Sequence, residues 1–408
     1  MLNIKKLSNG LVVIGEVLPE RSSVAFTFWT PAGSVYDPPD RPGMAAFLCE
    51  MMFRGAGDRS NRQFLEAIDQ IGIDRCESLT AVGLGFRASM LAENFEAALV
   101  LYADLVRRPR LPRAELEDGR QVLLQEILSL RDDPIETLLR KMRERFYGRA
   151  WGHDSDGTCP GVKKITWEEV RRHYDVVMCP NEMVLSIAGN FDWKKTLALV
   201  ETLFGDWEPR ALPCPGRIRT SFRPFHISSD SQQTHMFLAW PVPTIGHPDQ
   251  IRAWAGMNVL GGGMNSRLFN EVREKRGLCY SVETDYDSFP TRAGVFCYAG
   301  SRTENAKKTL GVIRRQMERL SRGITRAELE AVKVRYRTAL VTQQESCSCW
   351  ALCNLSDWRW FGRIRPWEEV QTRMERLTLR EVNTWLAENP PKKFLTGTLG
   401  PRPVLWDA

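Results

Sequence analysis

Apolar residues recur at every second position in Val82, Leu84, Phe86, Ala88 and Met90, the spacing of a strand with one buried face. They then recur every third or fourth position at Phe95, Leu99, Tyr102 and Val106, which predicts a helix immediately after that strand. Upstream, Ser60 is placed to cap a helix whose apolar residues are Phe64, Leu65, Ile68 and Ile71, with Gly72 placed to end it. Strand and helix signals alternate in this way along the whole chain. The pattern predicts a mixed α and β class.

The pattern also repeats. Arg113-Ala114-Glu115-Leu116-Glu117 returns as Arg326-Ala327-Glu328-Leu329-Glu330, an identical pentapeptide 213 positions later. Ile165-Thr166 with Glu169-Val170 returns as Leu377-Thr378 with Glu381-Val382 after 212 positions, and each copy runs on through a Pro-containing turn to an apolar strand ending in Gly189 or Gly400. A repeat unit of this length is a whole domain, far longer than the roughly 20–50 residues of a stacking repeat. Between the copies, Glu208–Gly216 is rich in proline and reads as a linker. The expected domains are therefore residues 1–214 and 215–408.

Composition narrows the class. A chain of 408 residues with 43% hydrophobic and 26% charged residues falls in the globular range, and no apolar run approaches the roughly 18 residues that a membrane span needs. The net charge of +6 is small for this length and comes from basic residues scattered among acidic ones, so nucleic acid is not an expected partner. Ten cysteines are too sparse for a disulfide scaffold and read as free thiols in a reducing compartment. The first residues, Met1-Leu2-Asn3-Ile4-Lys5-Lys6, do not read as an export signal, and a cytoplasmic location is expected.

Two segments carry a resemblance. Residues 41–57, RPGMAAFLCEMMFRGAG, resemble the signature helix of the insulinase/pitrilysin metallopeptidases, where the inverted zinc motif H-x-x-E-H stands. Residues 261–282, GGGMNSRLFNEVREKRGLCYSV, resemble the second-domain segment of the same family, the more specific of the two matches. The likeness runs from Leu7-Ser8-Asn9-Gly10-Leu11 to the final strand and fits the short, two-domain branch that includes processing peptidases. It implies an α+β fold of two homologous α/β-roll domains, each a mainly antiparallel sheet with helices on one face.

The departure from the family motif matters most. The alignment puts Ala46 where the first His ligand belongs, Cys49 at the general-base carboxylate and Glu50 at the second His; Glu126 alone matches the third metal ligand. A catalytic zinc usually takes three protein donors from His, Cys, Asp or Glu. Ala46 donates nothing, and none of the five histidines precedes His153. Adjacent side chains on a helix point about 100° apart, so Cys49 and Glu50 cannot readily chelate one ion together. The expectation is a chain that holds no zinc and does not hydrolyse peptides by itself.

Other matching residues are kept. In family members that cleave peptides, the counterparts of Arg273 and Tyr280 face the zinc and support the oxyanion and the substrate carbonyls; two donors of that kind suit the charge of a tetrahedral intermediate. Arg273 could instead pair with Glu274 or Glu271, and Tyr280 could pack at a strand start. Gly261-Gly262-Gly263 resembles a short form of the glycine-rich loop with which a non-catalytic subunit handles substrate, and equally suits a helix-ending turn. Cys347, Cys349 and Cys353 read as buried thiols, and Trp350, Trp358, Trp360, Phe361 and Trp367 as core or interface.

What the resemblance implies is a non-catalytic subunit of a heterodimeric zinc processing peptidase. Its partner would be a zinc-bearing chain of the same family, its substrate a peptide, and Arg273 and Tyr280 would act in trans. The alternative is an assembly or peptide-binding homologue with no proteolytic role.

Overall fold

The computed structural model describes residues 1–404. Its strands, in chain order, are β1 (Leu2–Lys6), β2 (Val12–Val17), β3 (Ser23–Thr30), β4 (Gly55–Ala56), β5 (Arg59–Ser60), β6 (Asp74–Leu79), β7 (Leu84–Leu91), β8 (Val184–Gly189), β9 (Phe225–Ser228), β10 (Gln233–Val242), β11 (Cys279–Phe289), β12 (Arg292–Arg302) and β13 (Leu395–Gly400). The helices are α1 (Met44–Met52), α2 (Asn61–Ile71), α3 (Phe95–Arg107), α4 (Leu116–Arg131), α5 (Pro134–Tyr147), α6 (Arg149–Gly152), α7 (Cys159–Val162), α8 (Trp167–Val177), α9 (Trp193–Phe204), α10 (Gln250–Gly261), α11 (Ala306–Ser321), α12 (Arg326–Gln343), α13 (Cys347–Phe361), α14 (Trp367–Glu375) and α15 (Leu379–Glu388).

The local signals act where the residues put them. Ser60 and Gln63 form a reciprocal capping box at the start of α2, and Gly72 ends it in the left-handed conformation at φ +71°. The duplicated threonines do the same work in both halves: Thr166 with Glu169 caps α8, and Thr378 with Glu381 caps α15. The alternating stretch becomes β7, although Val82 lies before its first residue. Leu65, expected on the apolar face of α2, is 38% exposed.

The chain forms two compact units. The first comprises residues 1–129, 153–216 and 342–364; the second comprises 130–152, 217–341 and the residues from 365 onward. The first unit's sheet has the order β1-β2-β8-β3-β7-β6, antiparallel except where β2 runs parallel to β8. The second has the order β11-β12-β10-β13-β9, antiparallel except for β13 and β9. Both are mainly antiparallel sheets, as the α+β expectation has it, but the helices pack on both faces of each sheet and not on one.

A cut near residue 215 separates the two sheets but not two helices, α5 and α13, which stand in corresponding places in the repeat: their caps Asp133 and Ser346 are 213 residues apart. α5 belongs to the second unit, where Leu138, Met142, Phe146 and Tyr147 pack on Phe237, Ala239, Phe296 and Tyr298. Because β10 and β12 alternate, these residues lie on the face opposite Met236, Leu238, Val295 and Cys297, which bury against the other helices. α13 covers the first unit's second face, where Leu355 meets Val12, Ile14 and Val184. Helices therefore cover both faces of each sheet, one face by a single exchanged helix.

All ten cysteines are free thiols. Among the described residues, no helix is long and apolar enough to cross a membrane.

Candidate functional site

The degenerate motif lies on α1. Gly43, at φ +104°, precedes the helix, and the Asp37 carboxylate accepts from the backbone N–H groups of Gly43 (2.7 Å) and Ala45 (2.8 Å), satisfying two donors of the helix start. Ala46 is 8% exposed and packs in the first unit's core. Cys49 keeps part of its surface, but burial, followed by the charges of Glu77, Glu50 and Glu126, pushes its thiol far above the usual range. A thiol so held does not readily become the thiolate that binds metal.

Glu50 is already engaged. Its Oε1 accepts from Arg54 Nη2 at 2.7 Å and Nε at 3.0 Å, four residues on and just past the end of α1, and Arg54 also reaches Glu115 at 3.3 Å. Glu126, exposed on α4, has its carboxyl raised above the ordinary value by partial burial, then by the charges of Glu50 and Asp156. The Glu50 and Glu126 carboxylates repel each other, and the Arg54 guanidinium is engaged by Glu50 and Glu115. Among the described residues, no group of three or more His, Cys, Asp or Glu side chains is placed to hold a metal ion. The donor set at Ala46, Cys49, Glu50 and Glu126 does not fit a catalytic zinc.

The second unit holds the other predicted residues, and it brings most of them to one place. α10 ends at Gly261, and Gly262 and Gly263 turn the chain into a π-helical segment, Phe269–Glu274, in which Lys275 N–H reaches back to the Asn270 carbonyl at 2.9 Å. Arg273 leaves that segment between two rings, with its guanidinium carbon 4.7 Å from the Phe269 centroid and 4.9 Å from that of Tyr280. Glu274 stands 3.7 Å away, whereas Glu271 is taken by Lys275 (2.6 Å) and Arg276 (2.7 Å). Tyr280 is the second residue of β11, at a register shift of that strand, and does not pack there, since it is 82% exposed.

Gly261, Gly262, Gly263 and Arg273 line a cavity of about 570 Å³. Its remaining wall comes from Trp254, Met257, Asn258, Met264, Phe269 and β11 residues 281–286. Such a volume is within the range of small-ligand and side-chain pockets, roughly 300–1,000 Å³. Motif reading missed Trp254, Met257 and Tyr286, which carry no chemical signature of their own. Phe269 had a usable signal in its four-residue spacing from Arg273. Of the cysteine trio only Cys347 is buried, with its thiol 3.7 Å from the Ser23 carbonyl, whereas Cys349 and Cys353 keep part of their surface, a correction to the reading of all three as buried thiols; of the aromatic group, Trp358 packs with Leu355.

Comparison with known proteins matches residues 12–150 to the family model described as Insulinase (Peptidase family M16). Residues 164–336 match the model described as Peptidase M16 inactive domain. An uncharacterized zinc protease of Mycobacterium tuberculosis is 30% identical over 404 residues, covering 97% of this chain and 92% of that protein. An uncharacterized zinc protease of Bacillus subtilis is 27% identical, covering 92% of each chain. Among solved structures, a protease from Helicobacter pylori superposes with a TM-score of 0.91 at 19% identity, covering 98% of this chain and 99% of that one. A peptidase M16 inactive domain from Pseudomonas fluorescens gives 0.84 at 20% identity, covering 98% of both. These last two are likenesses of fold.

Proposed function

The chain belongs to peptidase family M16, and from that premise we propose that it is a non-catalytic subunit of a two-chain zinc peptidase that acts on peptides. One contrast carries the reading. The family's two histidine-ligand positions are held by Ala46 and an arginine-paired Glu50 and its general-base position by Cys49, while Arg273 is held between Phe269 and Tyr280 beside a cavity.

In the proposed pair, a relative with an intact H-x-x-E-H motif contributes the metal and the activated water. This chain contributes binding and orientation. The Arg273 guanidinium, its torsions restricted by the two rings, donates to peptide carbonyl oxygens, and the exposed Tyr280 hydroxyl donates to the oxygen on which negative charge develops. Pre-aimed donors of this kind are worth about 3 kcal/mol each in a water-excluded site, roughly a hundredfold in rate. The cavity beside them takes part of the peptide. Free thiols at all ten cysteines fit a reducing, cytoplasmic setting.

The test is reconstitution. The chain is mixed with zinc-bearing relatives encoded by the same genome, assembly is followed by native mass measurement, and cleavage of a quenched fluorescent peptide library is recorded. The expected result is a 1:1 complex that cleaves peptides when neither chain does so alone, with turnover falling about a hundredfold in Tyr280→Phe. An intact complex whose turnover is unchanged by Tyr280→Phe would favour an assembly subunit instead.

A further inference from the structure

The repeat offset relates the two candidate sites. Subtracting 213 takes Gly261, Gly262 and Gly263 to Leu48, Cys49 and Glu50, and takes Arg335 on α12 to Val122, four residues before Glu126 on α4. The corner that the first unit builds from α1 and α4 is built in the second unit from α10 and α12. There the corner holds a glycine turn.

That turn is fixed from three sides. A Cβ on Gly261 would lie 2.9 Å from the Thr284 backbone nitrogen, so α10 ends directly against β11. A Cβ on Gly262 would lie 2.5 Å from Asn258 Oδ1. Gly263 sits at φ +141°, a conformation that other residues rarely adopt, and a Cβ there would lie 2.7 Å from Arg335 Nη1. Arg335 Nη1 donates to the Gly262 carbonyl at 2.5 Å, and the next residue, Tyr336, meets Trp254 of α10 edge to face at 5.4 Å. Thr284 Oγ1 donates to the Met257 carbonyl at 3.2 Å, tying β11 to α10.

Three consecutive glycines have more conformational freedom to lose than any other tripeptide. Left unanchored, they would make a soft wall, and ordering them would weaken the binding of any peptide that touched it. We propose that Arg335 is a positioning residue, anchoring the Gly261–Gly263 turn to α12 so that the cavity wall is already formed when a peptide enters. This rests on the peptide-binding reading above.

The experiment compares Arg335→Ala and Arg335→Lys with the unaltered full-length chain. Amide hydrogen exchange is read first, on the chain alone. The expected result is faster exchange across residues 261–266 in Arg335→Ala, unchanged exchange in α10 upstream and in β11, and near-normal exchange in Arg335→Lys, whose ammonium still offers a donor. Unaltered exchange at the turn in Arg335→Ala overturns the proposal, whatever the chain pairs with. Steady-state cleavage of the fluorescent peptide by the reconstituted pair is read second. KM should rise about tenfold with kcat unchanged, the scale of one charge-assisted hydrogen bond, and Arg335→Lys should recover most of it. A loosened turn with unchanged KM overturns the positioning role while leaving the functional reading intact, provided Arg273→Ala still depresses turnover. If Arg273→Ala is also silent, the functional reading fails and the positioning role fails with it.

Discussion

Restoring the family motif by Ala46→His, Cys49→Glu and Glu50→His together should turn the first unit into a zinc site. The imidazoles at 46 and 50 with Glu126 supply three protein donors, and the new carboxylate at 49 supplies a base. The structure sets the cost. Ala46 is 8% exposed in a packed core, so a larger side chain there costs about 1–3 kcal/mol. Removing the Glu50 carboxylate also removes a charge that raises the Glu126 carboxyl, and Arg54 keeps Glu115 at 3.3 Å. Zinc at a thousandfold excess over its dissociation constant stabilises the folded state by about 4 kcal/mol, which exceeds that cost. At roughly 2–4 °C per kcal/mol for a domain of this size, the triple variant should melt about ten degrees higher in zinc than in chelator, with one zinc per chain by elemental analysis. Ala46→His alone should show no such shift. A well-folded triple variant that ignores zinc would refute the reasoning, because the disposition of the backbone, and not the donor set, would then be what excludes the metal.

Three further outcomes are expected. Phe146→Ala, which empties a fully buried position where α5 meets Phe222 and Phe296, should cost about 3–5 kcal/mol in denaturant titration of the second unit, and a loss below 1 kcal/mol would mean α5 is not docked there. Burial alone would raise the Glu328 carboxyl, but its bonds to Arg267 and Thr325 outweigh burial and hold it at about 2. Its stabilising contribution is therefore complete above the unfolded value near 4.5 and fades as pH falls toward 2, so the gap in denaturation midpoint between wild type and Glu328→Gln should close over that window; a pH-independent gap contradicts this. A thiol reagent at pH 8 should label the exposed Cys76 and Cys214 first and the half-buried Cys49, whose thiol is held protonated, far more slowly in the native chain, as mass mapping would report; equal labelling of Cys49 counts against its raised thiol.

Local chemistry was the legible part of this chain. Ser60, Gln63 and Gly72 bound α2 through groups within a few residues of one another, and the paired Thr-x-x-Glu caps announce the duplication. The exchange of α5 and α13 was not legible, because helical periodicity shows that a face is buried without showing which sheet buries it. The same limit applies to the candidate site. Arg273 and Tyr280 could be picked out by likeness, but their stacking depends on a π-helical turn that no residue pattern announces. Trp254 and Tyr286 reach the cavity from elements far apart in the chain. Glu50 and Arg54 stand four residues apart across the end of α1, a spacing at which opposite charges meet, and could have been read as a reason to doubt Glu50 as a ligand.

The central claim is that hydrolysis cannot be carried out by this chain alone. Equilibrium dialysis of the purified wild-type chain against micromolar zinc, followed by elemental analysis and a peptide-hydrolysis assay on the same sample, tests it most directly. The predicted result is substoichiometric metal and no cleavage above the blank. One tightly held zinc per chain, with cleavage abolished by Glu126→Gln, would contradict it.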